Sequence, residues 1–269
     1  GGPADTWSRL PLGKDWTRKA ACGTTYDLNN DGHIDIIAAD NTNCWIILND
    51  GSSPSNWPVY ALGPGAPASS ARNVAIADLT SDGWSDVVVC DNSSGGFNYV
   101  IKNNHSTNYP SWSIEPLGNR TFRSGTLAMG DLTGDGHPDI VLAGAGTNGF
   151  IVNNPAQTPS QWDILPLGQH HDLLGTLGAA IADINLDGYP DVVEGNWSHG
   201  NTVVMGDAGS PTGWVRKTLA TTNSILSRCI VAADVTGDGM PDVVSANMDT
   251  NYVAINNGGD PSTWSLSPL

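Results

Sequence analysis

Apolar residues along this chain come in short runs separated by turn-formers. One stretch reads GTLAMGD, then DIVLAG, then GFIVNN, then the tryptophan segment WDILPLG. Each run is rich in aliphatic or β-branched residues and is closed by Gly, Asn, Pro or Ser, the pattern of strands and their connections. No window of about 11 residues sustains a helical period. The pattern therefore predicts strands alone, four of them for each ~50 residues of a repeating unit.

The repeat is explicit in the polar positions. DLNNDGHID begins at Asp27, DLTSDGWSD at Asp78, DLTGDGHPD at Asp131, DINLDGYPD at Asp183 and DVTGDGMPD at Asp234, giving steps of 51, 53, 52 and 51 residues. A second ladder keeps step with it: Trp7, Trp57, Trp112, Trp162, Trp214 and Trp264, each 19 to 21 residues ahead of the next loop where one follows. Residues 1–269 read as one repeat array, a single domain. Four strands per unit, repeated radially, make a β-propeller. The expected fold is all-β: five blades of four antiparallel strands, the ring closed by a terminal Trp strand. Six Trp segments accompany five Asp loops, so one outer strand is spare. An unpaired edge of that kind can recruit another chain, which makes a homo-oligomer through the spare strand one expectation.

By parity the faces follow. If the inner strand runs into the Asp loop, that loop joins the first strand to the second, and the Pro/Ser-rich segments joining third to fourth share its face. The second-to-third and fourth-to-first connections lie on the opposite face.

Composition changes the picture in one respect. The chain carries 27 acidic and 11 basic residues, a formal charge of −16, and three aspartates in each of the five loops supply 15 of the acids. The acidity is local, and there is no basic patch to neutralise phosphates, so nucleic acid is excluded as a partner. No apolar run approaches the ~20 residues of a membrane span, so no membrane insertion is expected. The start of the array within the first ten residues leaves no leader in view, and the protein reads as secreted or extracellular, the cytoplasm staying open. Cys22 and Cys229 each lie five residues ahead of a first loop aspartate, in the first and last repeats. A closed ring would make them neighbours, so a disulfide is one reading and four buried thiols the other.

Calcium needs several oxygen ligands on a tight turn with glycine at the bend, and D-x-[NT]-x-D-G-x-x-D supplies them. The candidate sets are Asp27, Asn29, Asp31 and Asp35 in repeat one, and Asp183, Asn185, Asp187 and Asp191 in repeat four, each with the carbonyl of loop position seven. Position three is Thr80, Thr133 and Thr236 in the other repeats, a poorer donor. Aspartates also cap turns without metal, so calcium is expected as a structural ion in some loops and not as a catalyst.

The Asp motif at blade spacing resembles the FG-GAP/VCBS repeat of integrin α-subunit propellers and of many extracellular bacterial and fungal proteins. Combined with W-x-x-x-PLG, the chain looks most like the fungal propeller lectins typified by Psathyrella velutina lectin, whose ring has seven blades against five motifs here. That resemblance implies multivalent binding of N-acetylglucosamine-type glycans in shallow pockets between blades, on the face opposite the Asp loops. The residues suited to sugar on that face are Asp40, Asn41, Asp91, Asn92, Asn196, Trp197, His199, Asn247 and Asp249, which offer amides, carboxylates and one aromatic plane. Arg72, Arg123 and Arg228, ahead of the inner strands, could donate to hydroxyls. The ladder tryptophans keep strict register and read as packing residues, whereas Trp16, Trp45, Trp84 and Trp197 break it.

Two other classes compete with a lectin. One is an integrin-like protein-binding or scaffold module using the same face. The other is a glycosidase or lyase, which needs two carboxylic acids near the ring axis. The chain has only two glutamates, Glu115 and Glu194, and Glu194 alone stands on a strand without a specified partner, so no catalytic residue is assigned and the expectation is a non-enzyme.

Overall fold

Each repeat folds as one antiparallel four-stranded sheet whose strand order is its sequence order. Blade one is β1 (Cys22–Tyr26), β2 (Asp35–Ala39), β3 (Cys44–Ile47) and β4 (Val59–Ala61). Blade two is β5 (Ala71–Ala77), β6 (Asp86–Asp91), β7 (Asn98–Lys102) and β8 (Ser113–Leu117). Blade three is β9 (Thr126–Gly130), β10 (Asp139–Ala143), β11 (Gly149–Ile151) and β12 (Ile164–Pro166). Blade four is β13 (Thr176–Ala182), β14 (Asp191–Asn196), β15 (Thr202–Met205) and β16 (Val215–Thr218). Blade five is β17 (Ser227–Ala233), β18 (Asp242–Asn247), β19 (Tyr252–Ile255) and β20 (Ser265–Pro268). The structure is a computed structural model that describes residues 10–40, 43–63, 70–93, 97–144, 148–169, 175–197, 200–220 and 226–269. The protein is thus an all-β propeller of five blades, and the helices among its described residues are single 3₁₀ turns ahead of the outer strands. None is long and apolar enough to cross a membrane.

The register explains why the Asp motif punctuates the fold. The residue before each loop faces the ninth-position aspartate across the first hairpin: Tyr26 opposite Asp35, Ala77 opposite Asp86, Gly130 opposite Asp139, Ala182 opposite Asp191 and Ala233 opposite Asp242. Strands β6, β10 and β14 are buried along their whole length. They are covered on both faces by neighbouring blades, which is why they read as unbroken apolar runs.

The core lies between blades, and one contact recurs there. The apolar residue at loop position two packs against the tryptophan of the next blade: Leu28 with Trp112, Leu79 with Trp162, Leu132 with Trp214 and Ile184 with Trp264. At three of these junctions an asparagine after the third strand donates its side-chain N–H to the same position's carbonyl. These bonds are Asn103 to Leu28 at 3.2 Å, Asn153 to Leu79 at 3.2 Å and Asn256 to Ile184 at 2.7 Å. At the remaining junction Gly206 stands in the asparagine's place, where a Cβ would run into the Pro190 carbonyl. The five ladder tryptophans among the described residues are each tied down by the indole N–H, as in Trp112 to the Ser106 carbonyl at 2.9 Å, and Trp7 lies outside the described residues.

Inner strands pack in sequence, β1 on β5, β5 on β9, β9 on β13 and β13 on β17; β17 and β1 do not pack in this way. Trp264 precedes β20 and completes blade five from within its own repeat. Closure of the ring by a terminal strand is not seen among the described residues. All four cysteines are free thiols. Cys22 and Cys229 line the central cavity without a disulfide between them, and only Cys44 and Cys90 are buried.

Candidate functional site: clefts between blades

The Asp loops are closed turns. Both oxygens of the first aspartate accept backbone N–H groups from across the loop, Asp27 from Asp31 at 3.0 Å and from Gly32 at 2.9 Å, and Asp183 repeats this with Asp187 and Gly188. The fifth-position aspartate accepts from position seven, His33 to Asp31 at 2.8 Å. The ninth is fully buried and ties the loop to the third strand's exit: Asp35 accepts from Leu28 at 3.1 Å and from Asn49 at 2.9 Å. Burial is the main reason that the carboxyls of Asp35, Asp86 and Asp191 are pushed up to about 6, with the loop's other aspartates adding to it. Asp31, in contrast, is held low by the N–H of His33 and the Asn29 amide.

For calcium, donor chemistry and geometry point apart. The loops offer oxygen donors only, three of them carboxylates, as a hard cation requires. Among the described residues, however, no group of three or more His, Cys, Asp or Glu side chains converges to hold a metal ion. The carboxylates are turned to the backbone N–H groups of their own loop.

Position three separates two kinds of loop. Thr133 turns inward and donates both its N–H and its hydroxyl to Asp139, and Thr236 donates its N–H to Asp242. Asn29 and Asn185 instead donate to the fifth-position aspartate, Asp31 and Asp187, at 2.9 and 2.8 Å. Both of these asparagines line an inter-blade cleft. The cleft between blades one and two, about 130 Å³, is walled by Asn29 on one side and by Trp84, His105, Ser106 and Thr107 on the other. The Trp84 and His105 rings stack with centroids 4.8 Å apart, and His105 Nε2 lies 3.3 Å from Asp82. The cleft between blades four and five, about 270 Å³, sets Asn185 and Lys217 against the Gly258–Gly259–Asp260 turn, with Lys217 paired to Asp260 at 2.9 Å. Both clefts open on the Asp-loop face, because their walls are first-to-second and third-to-fourth connections.

The opposite face holds a central cavity of about 660 Å³ to which all five inner strands contribute. It brings together three of the expected sugar-binding residues, Arg72, Asn92 and Arg228. Arg228 also lies over the Trp197 ring, 4.2 Å from its centroid. Arg123 donates to the Asn92 carbonyl at 3.1 Å, and Asp249 is exposed on its loop. Other candidates shape their loops. Asp40 accepts from Arg18, Trp45 and Asn43, with Arg18 stacked on Trp45 and Trp16 edge-on to that ring. Asp91 accepts the Ser93 N–H at 2.6 Å. Asn196 is buried and engaged by Thr176, Thr202 and Gly200, and Asn247 is held by Ser227, Ser245 and Thr250. Asn41 and His199 lie outside the described residues.

Glu194 is fully buried and bidentate with Arg216, at 2.8 and 3.0 Å. It also accepts from Thr202 and, across the blade three–four junction, from Asn148, both at 2.6 Å. Every lone-pair direction has a donor, which is the arrangement of a structural clamp. Nothing in the spacing of Arg216 announced it: the pair forms across the sheet, from the second strand β14 to the outer strand β16, over β15.

A family model for the FG-GAP-like repeat matches residues 27–89, 78–142, 131–194 and 183–245. Human integrin alpha-6 is 28% identical over 154 residues, which is 52% of this chain and 14% of that protein. Among solved structures, an Agrocybe aegerita lectin described as specifically recognising non-reducing terminal N-acetylglucosamine superposes with a TM-score of 0.60 at 18% identity, over 91% of this chain and 65% of that one. The V. cholerae biofilm matrix protein Bap1 superposes with a TM-score of 0.50 at 18% identity, over 90% of this chain and 40% of that one. The chain spans less than two thirds of each of these relatives, and at such identity the structural likeness is one of fold.

Proposed function

We propose, from the premise that this chain belongs to the FG-GAP-like repeat family, that it is a carbohydrate-binding propeller taking glycans in the clefts between its blades. One observation carries the reading: the same cleft occurs at two junctions in register, each with a position-three carboxamide on one wall and a polar turn of the next blade on the other. Carboxamides and hydroxyls serve a sugar's hydroxyls, and the Trp84 ring at the first cleft offers an apolar plane to its C–H face. The two asparagines proposed from sequence as metal donors thus face a ligand cleft as well, and the proposed site lies on the Asp-loop face. The fold shared with the Agrocybe lectin points to N-acetylglucosamine-terminated glycans as the ligand class, and extracellular relatives point to an extracellular setting. Two clefts on one face would give avidity on a glycan-bearing surface. No catalytic step is proposed, because Glu194 is spent in its ion pair.

Calcium belongs to this proposal as a structural ion of loops one and four. Its support is chemical: the oxygen donors of Asp27, Asn29, Asp31 and Asp35, and of Asp183, Asn185, Asp187 and Asp191. The internal hydrogen bonds of those loops argue that they keep their shape without it.

A glycan array with wild-type protein and an Asn29→Ala, Asn185→Ala double variant tests the reading. Binding to N-acetylglucosamine-terminated glycans that the double variant loses supports it. Silence across the array favours the second reading, a protein-binding module, to which the similarity to integrin alpha-6 lends support.

A further inference from the structure

The four junctions between successive blades share one contact, and its two halves recur, unjoined, at the flanks of blade five and blade one. Loop position two is sealed at four places, with Leu28, Leu79, Leu132 and Ile184 between 0% and 3% exposed, whereas Val235 of blade five is 53% exposed. Trp57, the blade-one counterpart of the buried Trp112, Trp162, Trp214 and Trp264, is only half-buried. Asn49, the counterpart of Asn103, donates to Ile34 of its own blade, and among the described residues its side chain reaches no other blade.

Blade one is nonetheless not bare on that side. Gly13 and Lys14 donate their N–H groups to the carbonyls of Pro54 and Trp57, both at 2.8 Å. Gly118 and Asn119 make the same two bonds to Pro159 and Trp162, and Gly168 and Gln169 make them to Pro211 and Trp214. Gly13 has φ +74° and faces Val59, as Gly118, at φ +82°, faces Ile164. The stretch reading WSRLPLG to Gly13 is also the sequence copy of WSIEPLG and WDILPLG, the outer strands of blades two and three. The chain at Gly13 and Lys14 therefore sits where the outer strand of a preceding blade ends.

We propose that the flank between blade five and blade one is a docking surface for one further three-stranded FG-GAP unit, the place where its fourth, outer strand would end being already held by Gly13 and Lys14. Such a unit presents an apolar position-two residue to Trp57 and its carbonyl to Asn49, and sets its own third-strand asparagine against Val235. A second copy of this chain does not fit as well: its blade five brings its own outer strand, ending at Leu269, into the place that Gly13 already holds.

The test is to join residues 118–154, the first three strands of blade three with their leading loop, Leu132 at position two and Asn153 after the third strand, after Leu269 and to follow hydrogen exchange. Docking should protect amides in residues 48–58 and 234–242 by at least about tenfold, the range between exposed and core amides being far wider, and should raise the melting temperature. Trp57→Ala in the extended protein should abolish that protection, and an appended segment of scrambled order should give none. An appended unit that leaves both segments exchanging as before, or that is itself unprotected, overturns the proposal. So does concentration-dependent dimerisation of the unextended chain that protects the same segments, which would make a second copy the occupant.

Discussion

The Asn103 carboxamide donates across the first blade junction to the Leu28 carbonyl at 3.2 Å, while the Trp112 indole packs on the Leu28 side chain. One residue of loop one thus holds blade two by its backbone and its side chain together. Because each blade buries its faces only against its neighbours, such junctions carry much of the stability of a repeat array. Trp112→Ala should cost about 3–5 kcal/mol, the range for emptying a buried aromatic site. Trp57→Ala, at the unsealed flank, should cost less than about 1 kcal/mol, as surface changes do. Chemical denaturation of the two variants against wild type reads the asymmetry directly, and equal losses would contradict it.

The Glu194–Arg216 pair makes a second prediction. Arg216→Met removes the partner of a fully buried carboxylate, which typically costs about 3–5 kcal/mol. Replacing both residues by apolar ones of similar volume should recover much of that loss, because the desolvation of two ions is removed together. Melting temperatures of the single and double variants check this. Additive losses would mean that the two residues do not act as a pair.

Stability should fall as pH rises through the range of the buried loop aspartates. Asp35, Asp86 and Asp191 have folded values of about 6, above the ordinary carboxylate value, so their contribution is complete below about pH 4 and is lost as pH climbs through 6. The lowered groups, Asp31, Asp234 and Asp260, act in the opposite sense and only at lower pH. In calcium-free buffer the protein should therefore melt higher at pH 5 than at pH 7.5, and unfolding near pH 5.5 should release protons. Calorimetry in buffers of differing ionisation heat measures that release; proton uptake would reverse the sign of the account.

Calcium should add to stability without being required for the fold. In loops one and four both oxygens of the first aspartate already accept backbone N–H groups, so chelation should leave the β circular-dichroism signal unchanged. Excess calcium should raise the melting temperature through binding to the native state, and Asp31→Ala with Asp187→Ala should remove that rise. Unfolding on chelation would show that the turns depend on the ion.

Much of the architecture was legible in the chain because it is periodic. The Asp spacing counts the blades, and strand parity assigns the faces to the loops. The tryptophan register marked packing residues, and Trp112 and Trp162 are buried accordingly. What escaped the sequence is what forms between repeats. Asn103 and Leu28 are 75 positions apart, and no local spacing records their bond. Asn29 is legible as a metal donor within its own loop, but nothing in that loop shows that Trp84 and His105 of the next repeat face it across a cleft. Asp40, Asn196 and Asn247 read the same in sequence whether they shape loops or bind a sugar, because a carboxylate or a carboxamide does either; the loop partners that each one holds are visible only in the fold. The surplus tryptophan segment was countable, but only Gly13 and Lys14 on blade one show which side of the array it occupies.

Titration calorimetry with an N-acetylglucosamine-terminated oligosaccharide tests the central claim most directly. The account predicts about two sites per chain, one for each described cleft. Asn185→Ala should abolish the site between blades four and five, and Trp84→Ala should weaken the other by about 0.5–1.5 kcal/mol, the range for an aromatic contact beyond its buried area. Full binding retained in both variants, or no heat from wild-type protein that is correctly folded, would contradict it.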